Sequence, residues 1–208
     1  AKSKCRMEPG TLEPRPLELL PMEMEKQRII IGPERFSLTI DRLCHQLVEE
    51  FDDFTNTCII GIQPRGVALS ERIYRHLIDQ LNIPYIDYGK LDITFYRDDF
   101  RRPGASMHAS VTEIDFLVEK KKVILVDDVL YTGRTVQAAL TALNHYGRPD
   151  KVELLTLVDR RFNRELPIRS TFTGIKVDSV DQAYVKVEWA NTHGEDRVLL
   201  FSDKKAAQ

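Results

Sequence analysis

The chain has 208 residues, 42% of them hydrophobic and 30% charged, with a formal net charge of −2. That size and balance predict one globular domain with a sizeable core, and they exclude a general polyanion binder, so any nucleic-acid role must rest on a local basic face. Three cysteines, Cys5, Cys44 and Cys58, contain no CxxC pair and are odd in number. That fits a reducing cytoplasm better than a disulfide framework. No apolar run is long enough to span a bilayer, and the first residues lack the apolar stretch of a signal peptide. The expected setting is therefore the cytoplasm, with no membrane partner.

Residues 1–26 hold Pro9, Pro14, Pro16 and Pro21 without sustained periodicity. They are expected to form an N-terminal extension or surface arm ahead of a domain covering 27–208. Gln27 to Ile31 predicts a short strand. Ile40, Leu43, Cys44, Leu47 and Phe51 then recur at helical spacing. Thr57 to Ile62 is an apolar strand that runs into Gln63-Pro64-Arg65-Gly66, and Leu69, Ile73, Leu77 and Leu81 stripe a second helix. Leu91, Ile93 and Phe95 alternate with Asp92, Thr94 and Tyr96, the pattern of a strand. Arg97 to Ser110 is polar and reads as a long loop, hence a candidate lid. Val123 to Val126 predicts a buried strand, and Val136, Ala139, Leu140 and Leu143 the helix after it, with Gly147 placed as its C-cap. Val152 to Val158, Ala183 to Trp189 and Arg197 to Phe201 complete the strands. Apolar strands alternating with amphipathic helices predict an α/β fold, a doubly wound, mainly parallel sheet covered on both faces.

In such a sheet the ligand site lies beyond the carboxyl ends of the strands, where Gln63 to Gly66, Asp127 to Thr135 and Asp159 to Arg164 all fall. The middle segment is the most informative. Asp127 and Asp128 end a buried strand, and Thr132-Gly133-Arg134-Thr135 opens a helix. Backbone amides at a helix start cradle phosphate, and Gly133 permits close approach or a positive φ. Carboxylates beside that cradle would repel a bare phosphate but suit a ligand that also offers hydroxyls or a bound cation, such as a ribose phosphate with Mg²⁺. The plainer reading is that the two acids only cap a strand–helix turn. A P-loop reading of Gly61 and Gly66 fails, because Val67 and Ala68 stand where Lys and Ser/Thr are required.

Asp127 to Thr135 resembles the 5-phosphoribosyl-1-pyrophosphate (PRPP) motif of type I phosphoribosyltransferases. Asp92 to Asp99, Val126 to Thr135, Gly147-Arg148-Pro149 and Arg164-Glu165-Leu166-Pro167-Ile168-Arg169 narrow the resemblance to the pyrimidine-operon attenuator (PyrR) family, whose members double as uracil phosphoribosyltransferases. The similarity runs from about Gln27 to Phe201. It implies a small hood built from N- and C-terminal segments, PRPP and uracil as substrates, UMP as product, and Mg²⁺ held mainly through PRPP rather than by direct protein ligands. It also implies that Asp127 and Asp128 hold the ribose hydroxyls, and that Val129, Leu130, Tyr131, Thr132, Gly133, Arg134 and Thr135 complete the PRPP site. Gln63, Pro64, Arg65 and Gly66 match the pyrophosphate loop. Arg65 and Arg97 join the acids as catalytic residues, and the backbone around Val158, Asp159 and Arg160 faces the base. Two segments depart from the family: Gln63-Pro64 replaces an expected Lys-Thr type pair, and Arg161-Phe162-Asn163-Arg164 is one residue longer than the usual Gly-His-Arg.

Family members also bind leader mRNA with help from UMP, and they assemble as dimers or larger homo-oligomers. Candidate RNA contacts are Arg42, His45, Arg148, Lys151 and Arg164, with Arg161 and Lys176 as further basic residues. Asp41 places a carboxylate beside Arg42 and His45, where the family tends to have Thr. RNA binding therefore ranks below catalysis. A phosphoribosyltransferase for another base, and a non-catalytic RNA-binding attenuator, stay open as alternatives.

Overall fold

In the computed structural model, which describes residues 27–98, 109–178 and 183–202, β1 (Gln27–Ile31) leads directly into α1 (Pro33–Phe51). Pro33 sits in the first turn, where a missing N–H breaks no helical bond. β2 (Thr57–Ile62) follows, buried along its whole length, and then α2 (Gly66–Arg75), which continues as a π-helical turn over His76–Gln80. β3 (Asp87–Leu91), β4 (Lys122–Leu130), α3 (Arg134–Leu143), β5 (Lys151–Arg160) and β6 (Phe172–Val177) come next, and β7 (Tyr184–Glu188) and β8 (Arg197–Phe201) close the series.

Among the described residues the strands form two sheets. Five are parallel in the order β3-β2-β4-β5-β6; three are antiparallel in the order β1-β8-β7. Strand alternation distributes the core to both faces of the larger sheet. Ile59, Ile124 and Val126 meet Phe36, Leu43, Leu47, Leu69 and Ile73 of α1 and α2. Ile60, Val123 and Leu125 meet Val136, Ala139 and Leu143 of α3. Truncating one of these fully buried leucines to Ala costs about 2–5 kcal/mol. The expected α/β fold, with its hood of early and late segments, is what the chain adopts. Trp189, just after β7, fixes the hood to α1, its ring edge-on to Phe36 at 5.4 Å between centroids.

Three expectations change and one strand was missed. The strand foreseen through Leu91 to Tyr96 stops at Leu91, because Asp92 turns the chain. Its carboxylate accepts bonds from the Thr94 backbone N–H (3.2 Å) and hydroxyl (2.7 Å), and Thr94–Tyr96 becomes a 3-10 turn. Asp127 and Asp128 do not end β4 but lie within it, since pairing with β5 continues through Val129↔Val158 to Leu130↔Asp159. β6 was not foreseen at all. Gly147 does cap a helical segment, at φ 122°, but that segment is the 3-10 turn Asn144–Tyr146 after α3. The 1–26 extension and most of the candidate lid, including Arg101 and Arg102, lie outside the described residues.

Candidate active site

The carboxyl ends of β2, β4 and β5 converge on two adjoining cavities. One, of about 360 Å³, is lined by Asp127, by the whole run Val129 to Val136, and by Arg97, Asp98 and Glu165. The other, of about 470 Å³, joins Gln63, Pro64 and Arg65 to Asp127, Asp128, Val129, Tyr131, Thr135, Arg97, Arg160, Tyr184 and Val185. The structure thus brings the PRPP-motif residues, the pyrophosphate-loop residues and Arg97 around one continuous space.

The loop after β4 is shaped by its own backbone. Gly133 takes φ 95°, a conformation that L side chains rarely adopt, and α3 starts immediately behind it. The backbone N–H groups of Glu165 and Leu166 donate to the Thr132 carbonyl at 3.0 and 3.2 Å, closing the far side. Arg164 donates to the Tyr131 carbonyl and to the Asp159 carboxylate, tying the loop to β5. Arg134 is held by Asp98 and by Glu165 (2.5 Å), so its charge faces the rim. The concavity is lined by Thr132 to Thr135 at the start of α3, where backbone amides and hydroxyls have the chemistry that suits a phosphate group.

Asp127 and Asp128 are only 5% and 6% exposed. Burial, reinforced by the neighbouring Asp128 charge, pushes the Asp127 carboxyl well above the usual carboxylate range. Burial also raises Asp128, against the pull of the Arg65 charge and a 2.7 Å bond donated by the Val129 N–H. For Arg65, burial works against the charge, but Asp128, Tyr184 and Asp127 outweigh it and hold the guanidinium more firmly protonated than usual. Two buried acids beside a cation, with a phosphate nest on one side, is an arrangement that can accept hydroxyls and offset a developing positive charge.

Gly66 explains how the Arg65 loop comes so close. A Cβ there would strike the Val126 carbonyl oxygen and lie 3.1 Å from the Asp127 Cα, so only glycine lets α2 start against β4. The Gln63–Pro64 peptide is cis. The Gln63 side-chain amide donates to the Val111 carbonyl at 2.7 Å, spanning from this loop to the segment beyond the candidate lid.

The side chains of the segment expected to turn its backbone to the base divide. Arg160 is 4% exposed, lies 4.0 Å from the Tyr131 ring centroid and reaches the larger cavity. The Val158 side chain is buried in the core. The Asp159 side chain faces a separate basic cavity with Arg161, Arg164, Arg169 and Lys176. The RNA candidates do not form one patch. Arg42 donates to the Thr173 and Gly174 carbonyls of β6, and His45 lies beside Asp41. Lys151, paired with Glu50 and Glu153, and Arg148, whose carbonyl accepts from the Lys120 N–H, belong to the opposite, amino end of the sheet. Sequence reading missed Tyr184, which reaches the site from the other sheet and carries no local signal.

Among the described residues no three His, Cys, Asp or Glu side chains converge as metal ligands, and no helix is long and apolar enough to cross a membrane.

A parallel sheet with paired acids and a phosphate nest at the carboxyl end of one strand defines a nucleotide-type transferase site, and the Phosphoribosyl transferase domain family matches residues 26–192. The chain belongs to that family and, within it, to the PyrR group. It is 41% identical over 179 residues to the Bifunctional protein PyrR of Desulfosudis oleivorans, covering 86% of this chain and 98% of the relative. The Bifunctional protein PyrR of Bacillus cereus (strain AH820) is 37% identical over 180 residues, covering 86% and 99%. The fold also matches a hypoxanthine phosphoribosyl transferase of Trypanosoma cruzi with a TM-score of 0.63 at 16% identity, over 90% of this chain and 97% of that one.

Proposed function

We propose that this protein transfers the phosphoribosyl group of PRPP to uracil, releasing pyrophosphate and forming UMP, and that it binds leader mRNA in a UMP-responsive way. The observation that carries the first part is the continuous cavity with the Thr132–Thr135 nest at one end, the buried Asp127–Asp128 pair in the middle and Arg65 at the other. That span supports a reading in which the nest takes the 5′-phosphate, the acids take the ribose hydroxyls and Arg65 takes the pyrophosphate. The bond from C1 to the pyrophosphate oxygen breaks, its electron pair leaves with pyrophosphate, and uracil N1 bonds to C1 and gives up its proton. Asp127 and Asp128 offset the charge that develops on the ribose, while Arg65 and Arg97 meet the charge on the leaving group. Mg²⁺ bound to the pyrophosphate would neutralise part of that same charge. Arg160 closes the cavity on the base side.

The unit that does this is the domain from residue 27 onward, preceded by an extension over 1–26, acting in a reducing cytoplasm as a homo-oligomer. Leader RNA would reach Arg42, Arg164 and Lys176 around β6. Initial rates with PRPP and uracil, hypoxanthine, guanine or orotate test the base; turnover with a purine and none with uracil would overturn the substrate. RNA titrations with and without UMP at stated salt test the second activity. Binding indifferent to UMP would count against it.

A further inference from the structure

The chain around Arg97 is pinned from one side. Arg97 has an extended backbone (φ −76°, ψ 139°), so the side chains of Tyr96 and Asp98 leave together and that of Arg97 leaves opposite them. Both neighbours find partners at the two ends of α3. The Asp98 carboxylate pairs with the guanidinium of Arg134, the first residue of the helix. The Tyr96 ring packs on that of His145, 5.5 Å between centroids, in the 3-10 turn that follows the helix. Arg134 is held in turn by Glu165, which accepts from its Nε at 2.5 Å and whose backbone N–H donates to the Thr132 carbonyl at 3.0 Å. Upstream, the bonds from Thr94 to the Asp92 carboxylate fix where the segment begins. Arg97 lines both cavities, and in the larger one it stands with Arg65, Asp127 and Asp128.

We propose that Asp98 is a positioning residue for the transfer reaction: its ion pair with Arg134 fixes this segment against α3 and so turns Arg97 toward the departing pyrophosphate. The proposal rests on the reading that Arg97 meets the charge of the leaving group. A guanidinium already placed where charge develops needs no reorganisation during the reaction, whereas one on an unanchored segment must first be ordered. Both partners of the Asp98–Arg134 pair are about half exposed, so the pair contributes little to folding as such. Its effect lies in direction, because it holds the residue next to Arg97. A carboxylate on the wall of a phosphate cavity would otherwise repel the ligand, and Arg134 offsets that charge where it stands.

Steady-state rates of the full chain as wild type, Asp98→Asn, Arg97→Ala and the double variant, with inorganic pyrophosphate as product inhibitor, test it. Asp98→Asn keeps the size of an exposed side chain, so its melting temperature should match wild type; a large drop would assign the residue to folding and overturn the proposal. The expected result is a fall in kcat and a rise in the inhibition constant for pyrophosphate, each about fivefold, the upper range for one exposed pair, with KM for uracil unchanged. In the Arg97→Ala background, Asp98→Asn should add nothing further. An equal loss in that background would show that Asp98 acts independently of Arg97 and would refute the role. So would a lowered KM for PRPP with undiminished kcat, the mark of a carboxylate that merely repels phosphate. An inactive wild type would refute the proposed function itself, whereas an active wild type with an unaffected Asp98→Asn refutes only this role.

Discussion

At the amino ends of the parallel strands, charged side chains meet opposite charges. Lys121 sits 2.6 Å from Asp87, and Lys151 reaches both Glu50 (3.0 Å) and Glu153 (2.6 Å). At the carboxyl ends, two carboxylates stand side by side in β4 with Arg65 and Arg160 around the same cavity. Burial pushes the Asp127 carboxyl up; at Asp87 burial also acts to raise the pKa, but the bonds from Lys121 and Tyr85 prevail and hold it below the usual range. At the amino end each of these charges has an opposite charge beside it; at the carboxyl end two buried carboxylates adjoin each other beside a cavity, an arrangement of the kind found at functional sites.

The sharpest break of this comparison is kinetic. Asp128→Asn or Arg65→Ala should lower turnover about 100-fold or more, as removal of a group aimed at developing charge does, while Lys151→Ala leaves turnover as it was; radiolabelled uracil incorporation reads all three. Next comes Gly66→Ala, which should cost about 1–3 kcal/mol because backbone, not a flexible side chain, must give way. Calorimetry would detect this, and an unchanged melting temperature would show that α2 need not press on β4. The third test sets the two ends against each other in pH. Asp127 has a raised folded-state pKa, so its contribution to stability is present in acid and lost as pH rises through that value. Asn at 127 should therefore raise the melting temperature at pH 8, by about 2–4 °C for each kcal/mol relieved in a chain of this size, with the gain shrinking toward pH 4. Asp87 has a lowered pKa, so Asp87→Asn should destabilise at neutral pH and lose its effect in acid. Equal signs for the two variants would erase the distinction. The smallest effect is Lys151→Ala, a slight loss of stability that weakens further in high salt, because the Lys151 ammonium and its Glu50 partner are exposed.

The residues that declare themselves in sequence are those whose surroundings are local. A strand buried on both faces must be apolar, so β2 and the first half of β4 are legible as runs. The Thr132–Thr135 nest is legible because a strand, a glycine and a helix start occupy consecutive positions. β6 escaped because Phe172–Val177 is an edge strand with Gly174 at its centre, and that glycine exists for a distant reason: a Cβ would lie 3.1 Å from the Leu157 carbonyl carbon. The false strand through Leu91 to Tyr96 arose because alternation cannot reveal that Asp92 bends back onto Thr94. Asp127 and Asp128 looked like strand ends because carboxylates are rarely left inside a buried strand; the site tolerates the cost that ordinary sequence patterns avoid. Tyr184 belongs to the other extreme. Nothing near it in the chain points to Arg65, and only the approach of the two sheets brings them together.

That approach has a bearing on when the molecule becomes competent. Every neighbour pair in the larger sheet joins strands whose residues are made within a limited stretch of synthesis, and the sheet can assemble as the chain emerges. The small sheet cannot, because β1 must wait for β8, pairing Gln27 with Phe201. Closing so long a span is a late step in folding. A nascent chain can therefore own its phosphate nest before it owns the hood, and the finished site dates from the moment its first and last described strands meet.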